Sequence, residues 1–176
     1  MRSSTLMGIG GALLVSACSG ISISTDYDPQ VDFSTFSTYT WVDSQSGVDN
    51  ITDSRIRQSV DGAMAAKGFT QAADADLAIS YQVSTAERRS FNTVNAGWGG
   101  GYRWGGWGMG VGTSTTTENV WEEGSLILGM FDTGTKNLVW TGTATTDLDP
   151  SRSPSERQAV IDEGVSKLLA NFPPGK

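Results

Sequence analysis

The stretch that decides the fold is residues 120–144, VWEEGSLILGMFDTGTKNLVWTGTA. Val120 to Asp132 reads as one long strand and Leu138 to Ala144 as its return. The connection, Asp132 to Asn137, carries Gly134 and has the composition of a hairpin turn. Leu126 to Phe131 is apolar at odd and even positions alike. That pattern predicts a central strand covered on both faces for part of its length.

Downstream, residues 149–153 form a loop, and Ser153-Pro154-Ser155-Glu156 opens a helix. Ser153 caps, Pro154 suits the first helical position, and Glu156 completes a capping box. Ile161, Val165, Leu168 and Phe172 recur at helical spacing along one stripe, and Pro173-Pro174 stops the element. Upstream, residues 97–112 hold nine glycines in sixteen positions, interleaved with Trp98, Tyr102, Trp104 and Trp107. A regular core element does not tolerate that much glycine, because ordering its backbone costs too much entropy. The segment reads as a low-complexity loop, followed by the polar tract 113–118.

Further upstream, Asp76 to Ser84 alternates, with Leu77, Ile79, Tyr81 and Val83 on the inner face. Phe91 to Val94 continues that strand or opens another. A first helix runs from about Asp53 to Lys67, with Thr52 or Asp53 as its cap. Ile56, Val60, Ala63 and Met64 form its stripe, and Gly68 sits just past its end. Thr38 to Val42 is aromatic and β-branched, a second strand, and residues 19–25 lead into a first. Ile21, Ile23, Thr25 and Tyr27 share one of its faces. Hairpin strands with two one-sided helices predict an α+β fold. The expected sheet is mainly antiparallel, of about five strands, with two helices packed on one face.

The start of the chain has another character. Leu6 to Val15 is an uncharged, mostly apolar run, half the length of about 20 residues needed to cross a bilayer. It fits the apolar part of a secretory signal. Leu14-Val15-Ser16-Ala17-Cys18 resembles a bacterial lipobox, with Val15 where Leu is commonest. The alternative is an ordinary secretory signal with an incidental cysteine. A lone, unpaired thiol in an exported protein is reactive, and acylation removes that problem. The lipobox implies a multiply acylated Cys18, and two acyl chains suffice for stable anchoring. Ser19 points to the outer membrane. The expected organisation is a signal peptide over 1–17, a lipidated cysteine and tether over 18–25, and one α+β domain over 26–174.

Removing 17 of 176 residues leaves 159, one domain by length. Arg2 is lost with them, so 11 basic against 19 acidic residues give the mature chain a net charge of −8. Such a surface disfavours nucleic acid, which needs clustered Lys and Arg. The chain has no histidine, which excludes Ser-His-Asp and Cys-His catalysis and the usual zinc, copper and haem ligand sets. No cofactor is expected.

Three groups of residues are candidate sites. Trp98, Tyr102, Trp104 and Trp107 could insert at a membrane interface, stack on sugars or bury in a partner. The plain structural alternative is that they pack back over an open sheet face. Glu118, Glu122 and Glu123 flank Trp121, with Asp132 at the end of the same strand, so a paired-carboxylate site is conceivable. A solvated acidic rim explains them more simply. Asp26, Asp28 and Asp32 offer oxygen ligands for calcium, but without the Gly and terminal Glu of an EF-hand loop. Turn capping explains them instead. Tyr39, Trp41 and Trp140 read as core aromatics, and Arg88-Arg89 as a solvated strand end.

Several short motifs occur together: Asp26-Tyr27-Asp28, Asp32-Phe33-Ser34, Tyr39-Thr40-Trp41, Lys67-Gly68-Phe69, Ala75-Asp76-Leu77, Glu123-Gly124-Ser125-Leu126, Asp132, Leu138-Val139-Trp140-Thr141-Gly142, and Phe172-Pro173-Pro174. In that order they resemble the bacterial lipoprotein family known as domain of unknown function 4136, over about residues 25–174. The resemblance implies an envelope location and no established activity, so no functional residues carry over from it.

The expected protein is therefore non-enzymatic. It is anchored to the membrane by lipid, faces the periplasm, and acts through an envelope protein partner or a structural role. Two alternatives stand beside this. One is a module binding a small apolar or glycan ligand in a sheet–helix cavity lined by Trp41, Trp140 and the second helix. The other is an envelope hydrolase using Glu122 or Asp132.

Overall fold

The computed structural model describes residues 20–42, 47–95 and 114–175. Its elements are β1 (Ser22–Tyr27), β2 (Thr38–Trp41), α1 (Asn50–Ala66), β3 (Thr70–Gln71), β4 (Leu77–Asn95), β5 (Ser114–Asp132), β6 (Leu138–Leu148) and α2 (Pro154–Leu168). A short 3₁₀ turn, Phe33–Thr35, lies between β1 and β2. The strands form one six-stranded sheet in the order β1-β6-β5-β4-β2-β3.

The α+β class holds, but the sheet is mixed rather than mainly antiparallel, and it has six strands rather than five. β2 pairs parallel with both β4 and β3, while β1–β6, β5–β6 and β4–β5 are antiparallel. The cause is α1. A helical crossover returns the chain to the end where the preceding strand began, so the strands that follow run parallel to it.

Register makes the packing explicit. Across β4, β5 and β6, Ile79, Met130 and Trp140 lie in one row, Tyr81, Leu128 and Gly142 in the next, and Val83, Leu126 and Ala144 in a third. The first two rows are buried together with Val60 and Met64 of α1 and Val165 and Leu168 of α2. Phe172 closes the core beyond α2, with ring centroids 5.5 Å from Trp140 and 5.5 Å from Phe69. Among the described residues, nothing covers the opposite sheet face at Ile127. Ile127, in register with Gln82 and Thr143, is 37% exposed, which corrects the reading of β5 as a strand buried on both faces.

The helix ends follow local chemistry. Ser153 and Glu156 form the expected capping box, with Pro154 at the helix start. In α1 the cap is Asp49, which accepts from the Ile51 and Thr52 amides at 2.9 and 3.1 Å. The helix therefore begins earlier than a cap at Thr52 or Asp53 would place it. Asp53 is turned inward, where it accepts from Tyr81 Oη and Arg57 Nε. Gly68 has φ +88° just past the helix, a conformation that favours glycine.

Gly142 is required for a different reason. A Cβ built there would sit 2.6 Å from the Trp140 ring and 2.7 Å from Leu168 Cδ1. Gly62, by contrast, lies within α1 with open space where its Cβ would be. Gly142→Ala is therefore expected to destabilise the domain by about 1–3 kcal/mol through overpacking. Gly62→Ala should stabilise it by about 0.5–1 kcal/mol through helix propensity. Urea denaturation of the two variants reads opposite signs if this packing is correct.

Candidate functional site

The third row of the sheet is packed differently from the first two. Beyond Val83, Leu126 and Ala144, the next register row is Thr85, Gly124 and Thr146. Ala144 and Gly124 are small, and α2 presents Gly164 over Ala144, its Cβ position 4.0 Å from the Ala144 Cβ. The helices and sheet therefore do not close on each other here. The result is an open cavity of about 440 Å³ between them.

Its floor is Val83, Leu126 and Ala144, and its walls include Ile56 of α1 and Val160 and Ile161 of α2. Ile21, just before β1, forms part of one side. The surroundings of the opening include three cations, Arg55, Arg152 and Arg157, and two acids, Glu122 and Asp149. Arg157 Nη2 donates to the Pro150 carbonyl at 3.1 Å. Asp149 accepts from Ser151 Oγ at 2.6 Å and from its amide at 2.9 Å, which holds its carboxyl below the ordinary carboxylate range. Arg55 makes no hydrogen bond or ion pair with a described residue.

A cavity of this kind was expected to be lined by Trp41 and Trp140. It is lined by neither. Trp140 is 2% exposed in the aromatic core two rows away. Trp41 stacks edge-on to Tyr81 with centroids 6.1 Å apart, and the Arg57 guanidinium lies 4.8 Å from its ring centre. The signal that marks the real cavity is the small inward side chains at 124, 144 and 164, not the tryptophans.

From the same end of the sheet, β4 and β5 project as a two-stranded ribbon. Their pairing runs from Leu77↔Asp132 to Asn95↔Ser114, whereas β6 pairs with β5 only as far as Glu122↔Leu148. Residues 88–95 and 114–121 therefore extend beyond the third strand, by roughly 27 Å at about 3.4 Å per residue. Arg88 and Arg89 lie within this ribbon, not at a strand end. Arg88 pairs with Glu123 at 2.8 Å, and Arg89 with Glu118 and Glu87 at 3.4 Å each. Trp121 is 37% exposed. Trp98, Tyr102, Trp104 and Trp107, in the segment 97–112 that joins the two strands, lie outside the described residues, as does Cys18.

Most of the acidic candidates are engaged locally, Glu122 excepted. Asp132 accepts from Thr135 Oγ1 at 2.9 Å and from the Gly134 amide at 2.8 Å, so its carboxyl is held low and the hairpin turn is stapled. Glu118 belongs to the ribbon ion pairs. Glu122 and Asp132 stand ten residues apart on one strand, roughly 34 Å, and do not converge. Asp26, Asp28 and Asp32 accept from the amides of Tyr27, Gln30 and Ser34 respectively, as turn caps do.

A polar cluster that sequence reasoning missed fastens α1 to the sheet. Tyr39 Oη and Trp41 Nε1 both donate to Asp61 Oδ1, at 2.8 and 2.9 Å. Burial, then the Asp61 carboxylate, pushes the Tyr39 phenol up. Asp53 takes the Tyr81 hydroxyl and pairs with Arg57 at 3.1 Å, which together hold its carboxyl low. At the start of β2, Asp76 accepts from the Ser37 amide at 2.8 Å and from the Thr38 amide and Oγ1 at 2.9 Å each. Its carboxyl is held low by those bonds, the Ser37 amide first.

With a six-stranded sheet, two helices on one face and a two-stranded ribbon, this is a two-layer α+β domain of a kind found in other bacterial proteins. The chain belongs to the family described as Domain of unknown function (DUF4136), whose model matches residues 23–174. No curated protein matches it. Among solved structures it is similar to a PDZ domain protein from Parabacteroides distasonis, with a TM-score of 0.56 and 13% identity. That match covers 88% of this chain and 36% of the other, so this chain spans little more than a third of that protein's length. It is also similar to the PelC dodecamer from Paraburkholderia phytofirmans, with TM-scores of 0.51 and 0.50 in two crystal forms and 12% identity. Those matches cover 89% and 85% of this chain and 99% and 96% of the PelC chain. At such identities the likeness is one of fold.

The carboxyl directions make a pH prediction. Asp53, Asp76 and Asp132 titrate lower in the folded chain than when unfolded, where the reference value is 3.8. Their stabilisation is complete above the unfolded value and is lost as pH falls through the depressed folded values. Denaturation midpoints should fall between about pH 5 and pH 2. In Asp76→Asn the fall should be shallower, from a lower starting point. Equal slopes in the two proteins would remove Asp76 from the account.

Proposed function

We propose that this is a lipid-anchored, non-enzymatic envelope protein that faces the periplasm and acts by contact with a protein partner. The anchor is Cys18, and the contact is made at the end of the domain that carries the ribbon. The observation that carries the reading is where the chain enters the fold. Ile21 lies beside the cavity at the end where β4 and β5 leave the sheet. It is three residues from Cys18, at most about 11 Å of extended chain. An acylated Cys18 would hold that end of the domain close to the bilayer. The ribbon leaves the same end, and the aromatic residues 98, 102, 104 and 107 join its strands. In this reading the aromatic segment is the part that meets an interface or an envelope partner.

Two further observations support contact rather than catalysis. Asp132, Glu118 and Glu123 are engaged in a turn and in ion pairs, Glu122 stands ten residues from Asp132 on the same strand, and Asp132 is held low, the opposite of what a general acid needs. The ribbon exposes Val120 and Trp121 beside paired charges, the mixed composition of an interface rim. A second reading, a small-ligand module, is favoured by one observation. The cavity exceeds the roughly 300 Å³ at which ligand pockets begin.

Fractionation and pull-down test the main reading. The wild type should sediment with membranes, and intact mass should show a mature chain beginning at an acylated Cys18. Cys18→Ser should shift to the soluble fraction. From detergent-solubilised envelopes, wild type should co-purify specific proteins that are lost when Trp98, Trp104 and Trp107 are replaced by Ser. An unacylated wild type overturns the anchor, and an unchanged set of co-purified proteins overturns the contact.

A further inference from the structure

We propose that the cavity between the helices and the sheet binds a single-chain carboxylate amphiphile. Its hydrocarbon chain would lie over Val83, Leu126 and Ala144, and its carboxylate would meet the arginines around the opening. The inference rests on the cavity being a ligand site. It is independent of whether Cys18 is acylated.

Shape and surface chemistry choose the chain. The cavity is open to solvent, and its floor and walls are aliphatic, from Val83, Leu126 and Ala144 below to Ile56, Val160 and Ile161 beside. About 440 Å³ lies near the small end of the roughly 300–1,000 Å³ usual for ligand sites, room for one flexible chain. A sugar would leave most of its hydroxyls against these side chains without partners, which is costly. Each buried methylene, by contrast, contributes about 0.8 kcal/mol.

Charge chooses the head group. The whole chain is at −7, with only 12 cationic residues. Three of them surround this one opening, against two acids. The three arginines outnumber the two acids, Glu122 and Asp149, so the lining carries a net positive charge. Asp149 is bound to Ser151 and has Arg152 beside it as a favourable charge. Arg55, on the α1 side, has no described partner, and Arg157, on the α2 side, spends one nitrogen on the Pro150 carbonyl. Both retain donors in the planar fork that matches a carboxylate. An aliphatic chain without a charged head would leave this concentration of guanidinium groups unexplained.

Gly164 gives a clean way to close the site. It is buried in α2, faces Ala144, and a side chain there would extend into the cavity. Replacing a helical Gly with Leu favours the helix by about 0.8 kcal/mol, and the first added carbon meets Ala144 Cβ at an ordinary 4.0 Å.

The test uses the full chain carrying Cys18→Ser, so that no covalent acyl group competes. Binding of a fluorescent fatty acid is measured, followed by displacement with palmitate or hexadecanol. The expected result is saturable binding, displaced by palmitate at a concentration about ten-fold or more below that of hexadecanol. Gly164→Leu, with an unchanged circular dichroism spectrum and melt, should abolish binding. Arg55→Gln with Arg157→Gln should weaken palmitate about ten-fold and leave hexadecanol unchanged. The inference is overturned if folded protein binds nothing, if Gly164→Leu binds as before, or if hexadecanol competes as well as palmitate. The last outcome would mean that the cavity takes an uncharged chain. None of these results bears on the fractionation of the wild type, so anchor and ligand succeed or fail separately.

Discussion

The architecture depends on a mismatch of lengths. β4 and β5 each run for 19 residues, roughly 63 Å at about 3.3 Å per residue. The helices that cover them have 17 and 15 residues, roughly 25 and 22 Å at 1.5 Å per residue. Two such helices on one face can bury only part of those strands. The buried rows are those at Ile79 and Tyr81, where bulky side chains from sheet and helices interlock. Where the cover ends, the sheet first opens into a cavity and then narrows to a ribbon. Both features follow from one limit on how far a helix reaches.

That limit also explains how the residues are distributed. Under the helices the sheet carries Leu, Ile, Tyr, Met and Trp, and its one glycine in those rows, Gly142, makes room for Trp140 and Leu168. At the end of the cover the inward residues shrink to Ala144 and Gly124. Beyond it the strands turn polar and hold together by cross-strand ion pairs at Arg88 and Arg89. Exposed pairs of this kind each contribute little, about 0–1 kcal/mol. The ribbon therefore relies on its continuous ladder with the buried part of the same two strands. The carboxylates of the folded body have a different task. Asp32, Asp49, Asp76, Asp132 and Asp149 each accept from nearby amides and hydroxyls, so much of the acidic surplus is bound into turns and caps.

Much of this was legible in the chain. The Asp132–Asn137 hairpin, the Ser153–Glu156 capping box, the alternation of Leu77 to Val83 and the glycine after α1 all rest on local chemistry, and local chemistry is written in the sequence. The parallel placement of β2 was not read, although a strand–helix–strand order implied it, because alternation looks the same in either pairing. The cap of α1 falls earlier than expected because Asp49, not weighed in the sequence, is as good a cap in isolation as Asp53. Only the pull of Tyr81 and Arg57 on Asp53 separates them. The cavity was assigned to Trp41 and Trp140, on the expectation that aromatics line ligand sites. Its actual mark is three small residues, at 124, 144 and 164, which meet only once the register is known.

The cavity, the entry of the chain and the root of the ribbon lie at one end of the sheet, and the topology requires this. β1 pairs with β6 so that Ser22 meets Thr145, three positions before the end of β6 at Leu148. Leu148 in turn meets Glu122, where β5 begins its run beyond the sheet. Cys18 is only four positions before Ser22, where β1 begins. If the proposed anchor holds at Cys18, the arginines around the cavity and the root of the ribbon are the parts of the domain nearest to it. The joining segment, rich in Trp and Gly and with Arg103 as its only charge, has a composition compatible with a membrane interface. Strand order alone thus gathers the cavity, the chain entry and the root of the ribbon at one end.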